Sequence, residues 1–417
     1  MADLALFGGK KAVAQKYQHS SHPEVSRKLF QKMMDDDYRS KIVAFDSSVV
    51  TEFQQKAKEY FGLKYILPTN SGTSALFEMF YAVGLEKGDE VIVPAYTFFA
   101  TATPLFVLGC IPILADSTEN GNIDPKDIEK KITKNTRAIV ITHMWGIPCD
   151  MDEIMKISRK YDIPVLEDVS HAHGAMYKGK MTGSFGKCSA WSLGAKKLIT
   201  GGQGGMLGTN DADVYQRAIL LGHANNKRIK EIVDKIYIPY STSGVGLNLR
   251  MHPFSAAVIA DQLDRYKTCF KQRNQAADYI ITEVNKIPGL STVYIPEKSS
   301  PSWYGLIIKY DPSYFMGTNR ERFVDALLAE GANSFDIPHT TSPLTEYQIF
   351  NQRGVFFENH SKAKKYYDKG QFHQAEKFHD SIIKMEVRCG KHWQGHAKSH
   401  MNALKKVASY CKKSKIK

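Results

Sequence analysis

The sequence predicts an α/β fold, a mostly parallel wound sheet flanked by helices, followed by a smaller α+β region. Three observations lead there. Short apolar runs of strand length recur at 65–68, 90–94, 111–115, 136–142 and 165–168. Segments of helical periodicity lie between them, the alternation expected of a wound sheet. After Gly208 the pattern turns more helical and then mixed. The 417 residues are too many for one ordinary core, so two units are expected: 1–264, a large domain with an irregular N-terminal arm, and 265–417, a small C-terminal domain.

Residues 1–45 read as irregular and polar, with one helical patch near Val25 to Met34. Val49 to Phe61 places Val50, Phe53, Ala57 and Tyr60 at helical spacing. The strand Tyr65 to Pro68 runs into Thr69-Asn70-Ser71-Gly72-Thr73-Ser74-Ala75-Leu76, where hydroxyls fill the first turn of a helix. Glu90 to Pro94 is the next strand, and a helix is expected from about Thr97. Strands at Ile111 to Ala115, Thr136 to Thr142 and Val165 to Asp168 alternate with helices near Pro125 to Ile132 and Met151 to Lys160. A long helix is expected from Pro253 through Ala256, Ala260, Leu263 and Tyr266 towards Ile280. A strand at Trp303 to Tyr310, a helix at Arg320 to Ala329 and a last helix near Ala397 to Tyr410 follow. Residues 335–370 are poorly patterned and are expected to form a mobile or substrate-facing loop.

Composition narrows the function. The net charge is +13, with basic runs at Lys362-Ala363-Lys364-Lys365 and Lys412-Lys413-Ser414-Lys415-Ile416-Lys417. No helix-turn-helix, zinc-finger or RNP-like aromatic pattern accompanies that charge, so a solvated surface is expected rather than a nucleic-acid partner. Anionic substrates, including nucleotide diphosphates, also suit it. No apolar run reaches membrane-span length, and the N-terminus lacks the order of a signal peptide. The six cysteines form no CxxC pair, so neither a metal site nor a disulfide framework is expected, and a cytoplasmic setting is.

The chemistry concentrates in Ser192-Leu193-Gly194-Ala195-Lys196-Lys197-Leu198-Ile199-Thr200-Gly201-Gly202-Gln203-Gly204-Gly205. A hydroxyl, two lysines and a glycine-rich turn follow a strand ending in Glu167-Asp168. A buried aspartate and a lysine beside such a turn meet the needs of pyridoxal phosphate (PLP). The lysine amine forms a Schiff base with the aldehyde, and the aspartate keeps the pyridine nitrogen protonated so that the ring withdraws electrons.

From about Gly62 to Arg273 the motifs fall in the order and spacing of the DegT/StrS family of PLP-dependent sugar aminotransferases, of fold type I, which the chain resembles. The resemblance implies that Gly72, Thr73 and Ser74 cradle the cofactor phosphate, an ordinary helix N-cap being the alternative. It places Phe98, within Pro94-Ala95-Tyr96-Thr97-Phe98-Phe99, on the face of the pyridine ring, with Phe99 in the core. His143-Met144-Trp145-Gly146-Ile147-Pro148-Cys149-Asp150-Met151 matches a structural turn in which Asp150 caps the next helix. Asp168 matches the partner of the pyridinium nitrogen, His171 a contact to the phenolic oxygen, and His173 a packed turn residue. The family lysine stands five residues after a serine and seven before paired glycines. Lys197 meets both spacings to Ser192 and Gly204-Gly205, and Lys196 meets neither. Ser192 would then touch the phosphate. Gln203 departs from the acid usual before the glycines. Asn248, in Gly246-Leu247-Asn248-Leu249-Arg250-Met251, matches an asparagine that reaches the neighbouring subunit's cofactor, so a homodimer is implied; a turn or capping role is the equal alternative.

The resemblance implies transfer of an amino group from glutamate or glutamine to a keto sugar, nucleotide-linked on family grounds, or to a keto cyclitol. Two rival readings remain. Some relatives are sugar dehydratases, but these carry histidine where Lys197 stands. A sugar-binding regulator without catalysis would not need both Asp168 and Lys197.

Overall fold

The computed structural model describes residues 3–18, 25–44, 47–223, 225–351 and 366–416. Its central sheet holds β1 (Tyr65–Thr69), β2 (Glu90–Pro94), β3 (Ile111–Ala115), β4 (Thr136–Thr142), β5 (Val165–Asp168), β6 (Cys188–Ser192) and β7 (Gly205–Thr209). They lie side by side in the order β1–β7–β6–β5–β4–β2–β3. Strand β7 runs antiparallel to both neighbours, and the other pairings are parallel. The sequence showed five of the seven. Strands β6 and β7 escaped because Cys188-Ser189-Ala190-Trp191-Ser192 and Gly205-Met206-Leu207-Gly208-Thr209 are built largely from small residues with little β preference.

The sheet is covered on both faces, so its strands are apolar throughout and their residues alternate between two cores. Val91, Val93, Val140 and Leu166 face one core, and Ile92, Ile113, Ile139 and Ile141 the other. The helix Ser48–Phe61 ends at Gly62, whose φ of +69° suits a residue without a β-carbon. Its buried Phe53, Ala57 and Phe61 pack with Ile66 of β1 and Trp191 of β6.

The helix expected from about Thr97 starts later. Tyr96–Phe98 is a short strand paired with Thr341–Pro343, and the helix is Thr103–Val107. Pro104 dictates this, because proline is tolerated only in a helix's first turn. The pairing also brings part of the poorly patterned 335–370 segment beside Phe98, with Thr341 opposite it. Residues 352–365, including the Lys362–Lys365 run, lie outside the described residues.

A second sheet is wholly antiparallel. It orders β8 (Leu290–Thr292), β9 (Leu306–Tyr310), β11 (Ile382–Met385) and β10 (Phe335–Asp336). Strand β9 begins at Leu306 rather than Trp303, since Trp303 has a φ of +56° and cannot continue an extended run. Helices Arg320–Ala329 and Trp393–Cys411 share its core. The helix Pro253–Val284 passes straight through the expected boundary at 264/265. Its Ala256, Ile259 and Leu263 pack beneath the large sheet, and its Ala276, Ile280 and Val284 pack beneath the small one. The N-terminal arm, expected with the large unit, divides: Leu29 and Ile42 pack with the large unit, whereas its first residues lie on the second core. Leu4 and Val13 are buried there, and Glu330 accepts the backbone N–H of Ala5 and of Ala12 at 2.8 and 2.9 Å.

Candidate active site

Six strands of the large sheet point the same way, and their C-terminal ends form one edge, the usual ligand side of such sheets. Thr69, Asp168 and Ser192 are the last residues of β1, β5 and β6. Antiparallel β7 begins at the same edge with Gly205.

The helix Gly72–Ala82 starts here. Ser71 is its N-cap and accepts the Ser74 N–H at 3.1 Å. The Ser74 hydroxyl donates to Asn70 Oδ1 at 2.6 Å. Capping is therefore the work of Ser71, and the amides of Gly72 and Thr73 stay at the open end of the helix dipole. Close packing shapes the cradle. A β-carbon on Gly72 would come within 2.5 Å of Ser192 Cβ, and one on Gly205 within 2.2 Å of the Ser71 carbonyl oxygen. Gly72 is thus packed directly against Ser192, at the start of the turn that carries Thr73 and Ser74. The segment Leu249–Arg250 closes the outer side: the Asn70 N–H donates to the Leu249 carbonyl at 2.8 Å, and Thr69 bridges Arg250.

Neighbouring acids on β5 face opposite ways, as strand residues must. Asp168 is buried, with Oδ2 accepting from the Thr101 hydroxyl at 2.8 Å and Oδ1 from the Ser170 N–H at 3.0 Å. Thr101 is linked through Thr97, at 2.9 Å, to Thr142, at 3.2 Å. These threonines are support that the sequence reading missed; threonines recurring where strands end were the available signal. Glu167 points away, to His143 Nε2 at 3.0 Å and to the N–H groups of Gly183, Phe185 and Gly186. His143 is therefore structural. Asp150 holds the N-cap position but does not cap; its carboxylate accepts the Tyr177 hydroxyl at 3.0 Å.

Lys196 is exposed and Lys197 half-buried. Leu198, Ile199 and Thr200 anchor the chain just beyond, Ile199 by donating to His173 Nδ1 at 3.2 Å and Thr200 to Gln262 at 3.1 Å. That anchoring fixes which of the two lysines turns inward. Burial pulls the Lys197 ammonium down to about 8; nearby Lys384 pushes the same way and Asp168 opposes it. His171 is buried, its ring 3.9 Å from that of Tyr304 and 5.5 Å from that of Trp145, both nearly parallel to it. Burial, then Lys197, holds its imidazole well below the ordinary range, and Nδ1 has no hydrogen-bond partner. A buried polar atom without a partner beside Lys197 is an open contact point for a ligand.

Phe98 is 36% exposed, its ring 4.2 Å from Phe99. His173 is a packed turn residue, as expected; its carbonyl accepts the Tyr266 hydroxyl at 2.8 Å. Gln203 is exposed. Asn248 is also exposed, near this chain's own Asn70, whose Nδ2 reaches the Asn248 carbonyl at 3.5 Å. A cavity of about 620 Å³ has Lys197 in its wall, with Lys384, Arg265, Arg273 and Arg388 among its other residues. Among the described residues no cluster of three His, Cys, Asp or Glu side chains offers a metal site, and no helix is long and apolar enough to cross a membrane.

The sequence model of the DegT/DnrJ/EryC1/StrS aminotransferase family fits residues 26–387. The chain belongs to this family. It is 32% identical over 291 residues to a putative L-glutamine:3-amino-2,3-dideoxy-scyllo-inosose aminotransferase of Micromonospora echinospora, covering 69% of the chain and 68% of that protein. It is 37% identical over 236 residues to GDP-perosamine synthase of Caulobacter vibrioides, covering 56% of the chain and 60% of the relative. Among solved structures, an aminotransferase from Psychrobacter cryohalolentis superposes with a TM-score of 0.81 at 24% identity, over 93% of this chain and 98% of that one. This family member is a PLP-dependent aminotransferase of fold type I. The cradle, the supported Asp168 carboxylate, the inward Lys197 and the free His171 Nδ1 fit that cofactor.

Proposed function

We propose that the enzyme moves an amino group from glutamate or glutamine to a keto sugar, nucleotide-linked, or to a keto cyclitol, with Lys197 and Asp168 as its catalytic residues. The observation that carries the reading is the convergence of these two at the sheet edge, where Lys197 titrates near 8. An amine with that titration point keeps a neutral fraction of about one-tenth at pH 7, far more than an ordinary lysine, and that fraction acts as nucleophile or base.

Bound PLP supplies an aldehyde for amine exchange and an electron-withdrawing ring. Gly72, Thr73, Ser74 and Ser192 would hold its phosphate through helix amides and hydroxyls. Asp168, oriented by Thr101 and Ser170, would keep the ring nitrogen protonated. His171, whose Nδ1 has no partner within the protein, and Phe98 would hold the ring. Lys197 Nζ moves the proton at the donor's α-carbon. The compounds in the names of the two relatives, an inosose acted on and GDP-perosamine made, support both acceptor classes, and the cationic cavity beside Lys197 favours an anionic one.

The reading includes a homodimer in which Asn248 completes the partner's phosphate site. Support comes from an unusual run of exposed apolar side chains, Ile229, Val233, Ile236, Ile238, Val245 and Leu247, leading up to Asn248. Such a patch is normally covered. Borohydride reduction with peptide mapping tests the core of the proposal, and the pyridoxyl group is expected on Lys197. A label on Lys196 refutes it. A panel of keto sugars and inososes, run with each donor, then identifies the substrates.

A further inference from the structure

Tyr304 lies in the link into β9 and is the second unit's aromatic contribution to the wall around Lys197. Its backbone surroundings are fixed. Ser302 N–H donates to the Gly146 carbonyl at 3.0 Å, Gly305 N–H to the Trp145 carbonyl at 3.3 Å, and the Ser302 hydroxyl to the His171 carbonyl at 2.9 Å. Gly146 permits this approach, since a β-carbon there would lie 2.5 Å from Ser302 Oγ. The Tyr304 ring stacks on His171 at 3.9 Å with an interplanar angle of 12°. Lys197 Nζ stands 4.7 Å from the centre of the same ring. One phenol ring therefore touches both a buried neutral imidazole and the lysine amine.

We infer that Tyr304 is a positioning residue for Lys197, its ring face holding the lysine amine at the reacting edge whenever that amine is not bonded to the cofactor. This rests on the proposed role of Lys197 and extends it. In each half of a transamination the lysine is released, and a side chain with four rotatable bonds must stay where it can give and take a proton. A carboxylate partner would hold it as a salt bridge and blunt it as a base. An aromatic face attracts the ammonium electrostatically yet accepts no conventional hydrogen bond. The phenol itself stays neutral, because burial raises it to about 12, with Asp336 adding to the effect. Charged groups facing Lys197 from other elements are Asp168 on β5 and Lys384 on β11, of opposite effect.

The test uses two substitutions. Tyr304→Phe keeps the ring face, and Tyr304→Leu keeps an apolar side chain without it. In apoenzyme, the pH dependence of Lys197 modification by trinitrobenzenesulfonate, read by peptide mass mapping, gives the amine's titration midpoint. Tyr304→Phe is expected to match the wild type. Tyr304→Leu should lower the midpoint by about half a pH unit or more, because the charged form loses its stabilising face. In holoenzyme, Tyr304→Leu should slow the single-turnover donor half-reaction about tenfold with little change in donor KM, and Tyr304→Phe should restore it. If Tyr304→Leu does not fold, Tyr304→Met carries the same expectation. An unchanged midpoint in the aliphatic variant overturns the inference, and so does a Tyr304→Phe enzyme as slow as Tyr304→Leu. The apoenzyme titration decides this even if borohydride mapping were to move the cofactor to another lysine, so the two failures are distinguishable.

Discussion

Replacing Glu167 with glutamine should destabilise the protein far more than a one-atom change suggests. Four donors converge on this carboxylate, two buried and two partly buried. Oε1 accepts the Phe185 and Gly186 N–H groups, each at 2.7 Å, and Oε2 accepts the Gly183 N–H at 2.6 Å and His143 Nε2 at 3.0 Å. The histidine cannot reverse its tautomer freely, because its Nδ1 already accepts the Cys149 N–H at 3.0 Å. A glutamine oxygen can serve one pair of donors only; its NH2 must then face the other pair. With the oxygen towards Phe185 and Gly186, the Gly183 N–H is orphaned, and either His143 Nε2 or the Cys149 N–H is orphaned with it. The opposite orientation orphans Phe185 and Gly186. Two donors are lost either way, and in the second orientation they are only partly buried, so the total is about 2–4 kcal/mol. Against a typical stability of about 5–15 kcal/mol that is a large fraction. Thermal unfolding followed by circular dichroism should show a melting temperature lower by about 2–5 °C. Amide exchange should accelerate first at Gly183 to Gly186. A Glu167→Gln protein that melts within a degree of the wild type would refute the assignment of all four donors to this carboxylate.

Asp168→Asn should retain PLP but lose most transamination, with a barrier higher by about 3 kcal/mol; turnover near the wild type in a steady-state assay would remove Asp168 from the mechanism. Mixing inactive Lys197→Ala with impaired Asn248→Ala subunits should recover activity, because one site of the heterodimer receives both lesions and the other neither; no recovery despite demonstrated subunit exchange rejects the shared site. Gly72→Ala should weaken cofactor retention, since the new β-carbon meets Ser192, and dialysis followed by absorbance measures the loss. Cys389 should be the first thiol alkylated by iodoacetamide. Contact with Cys269, then the charge of Arg273, lowers its thiol, so it should react faster at neutral pH than Cys269, which is shifted upwards and stays slow.

Much of this fold and site could be read from local pattern. Runs of branched apolar residues such as Val91-Ile92-Val93 and Ile139-Val140-Ile141 mark strands buried on both faces. The family's spacing favours Lys197 over Lys196, and the structure leaves Lys196 exposed and Lys197 half-buried, with Leu198 to Thr200 anchored just beyond. What local pattern cannot carry is partnership across the chain. Tyr304 belongs to an unremarkable tetrapeptide, and its place beside Lys197 depends on hydrogen bonds to turns more than a hundred residues earlier. The course of the N-terminal arm is hidden for the same reason, being set by one distant carboxylate, Glu330. Strands β6 and β7 were invisible because packing between neighbours, not intrinsic preference, holds small residues in a sheet.

The pairing of β1 with β7 also dictates when the enzyme can become an enzyme during its manufacture. Thr69 to Ser74 are made early, but the strand that flanks them begins at Gly205, and the segment that closes their outer side ends with Arg250. The translating ribosome must add 181 further residues after Thr69 before that last neighbour exists. At about 5–20 residues per second this takes roughly 10–35 s. Until then the nascent chain lacks the strand that pairs with β1 and the segment that bridges Thr69, so on the proposed reading vitamin B6 cofactor is captured only late in synthesis or after release.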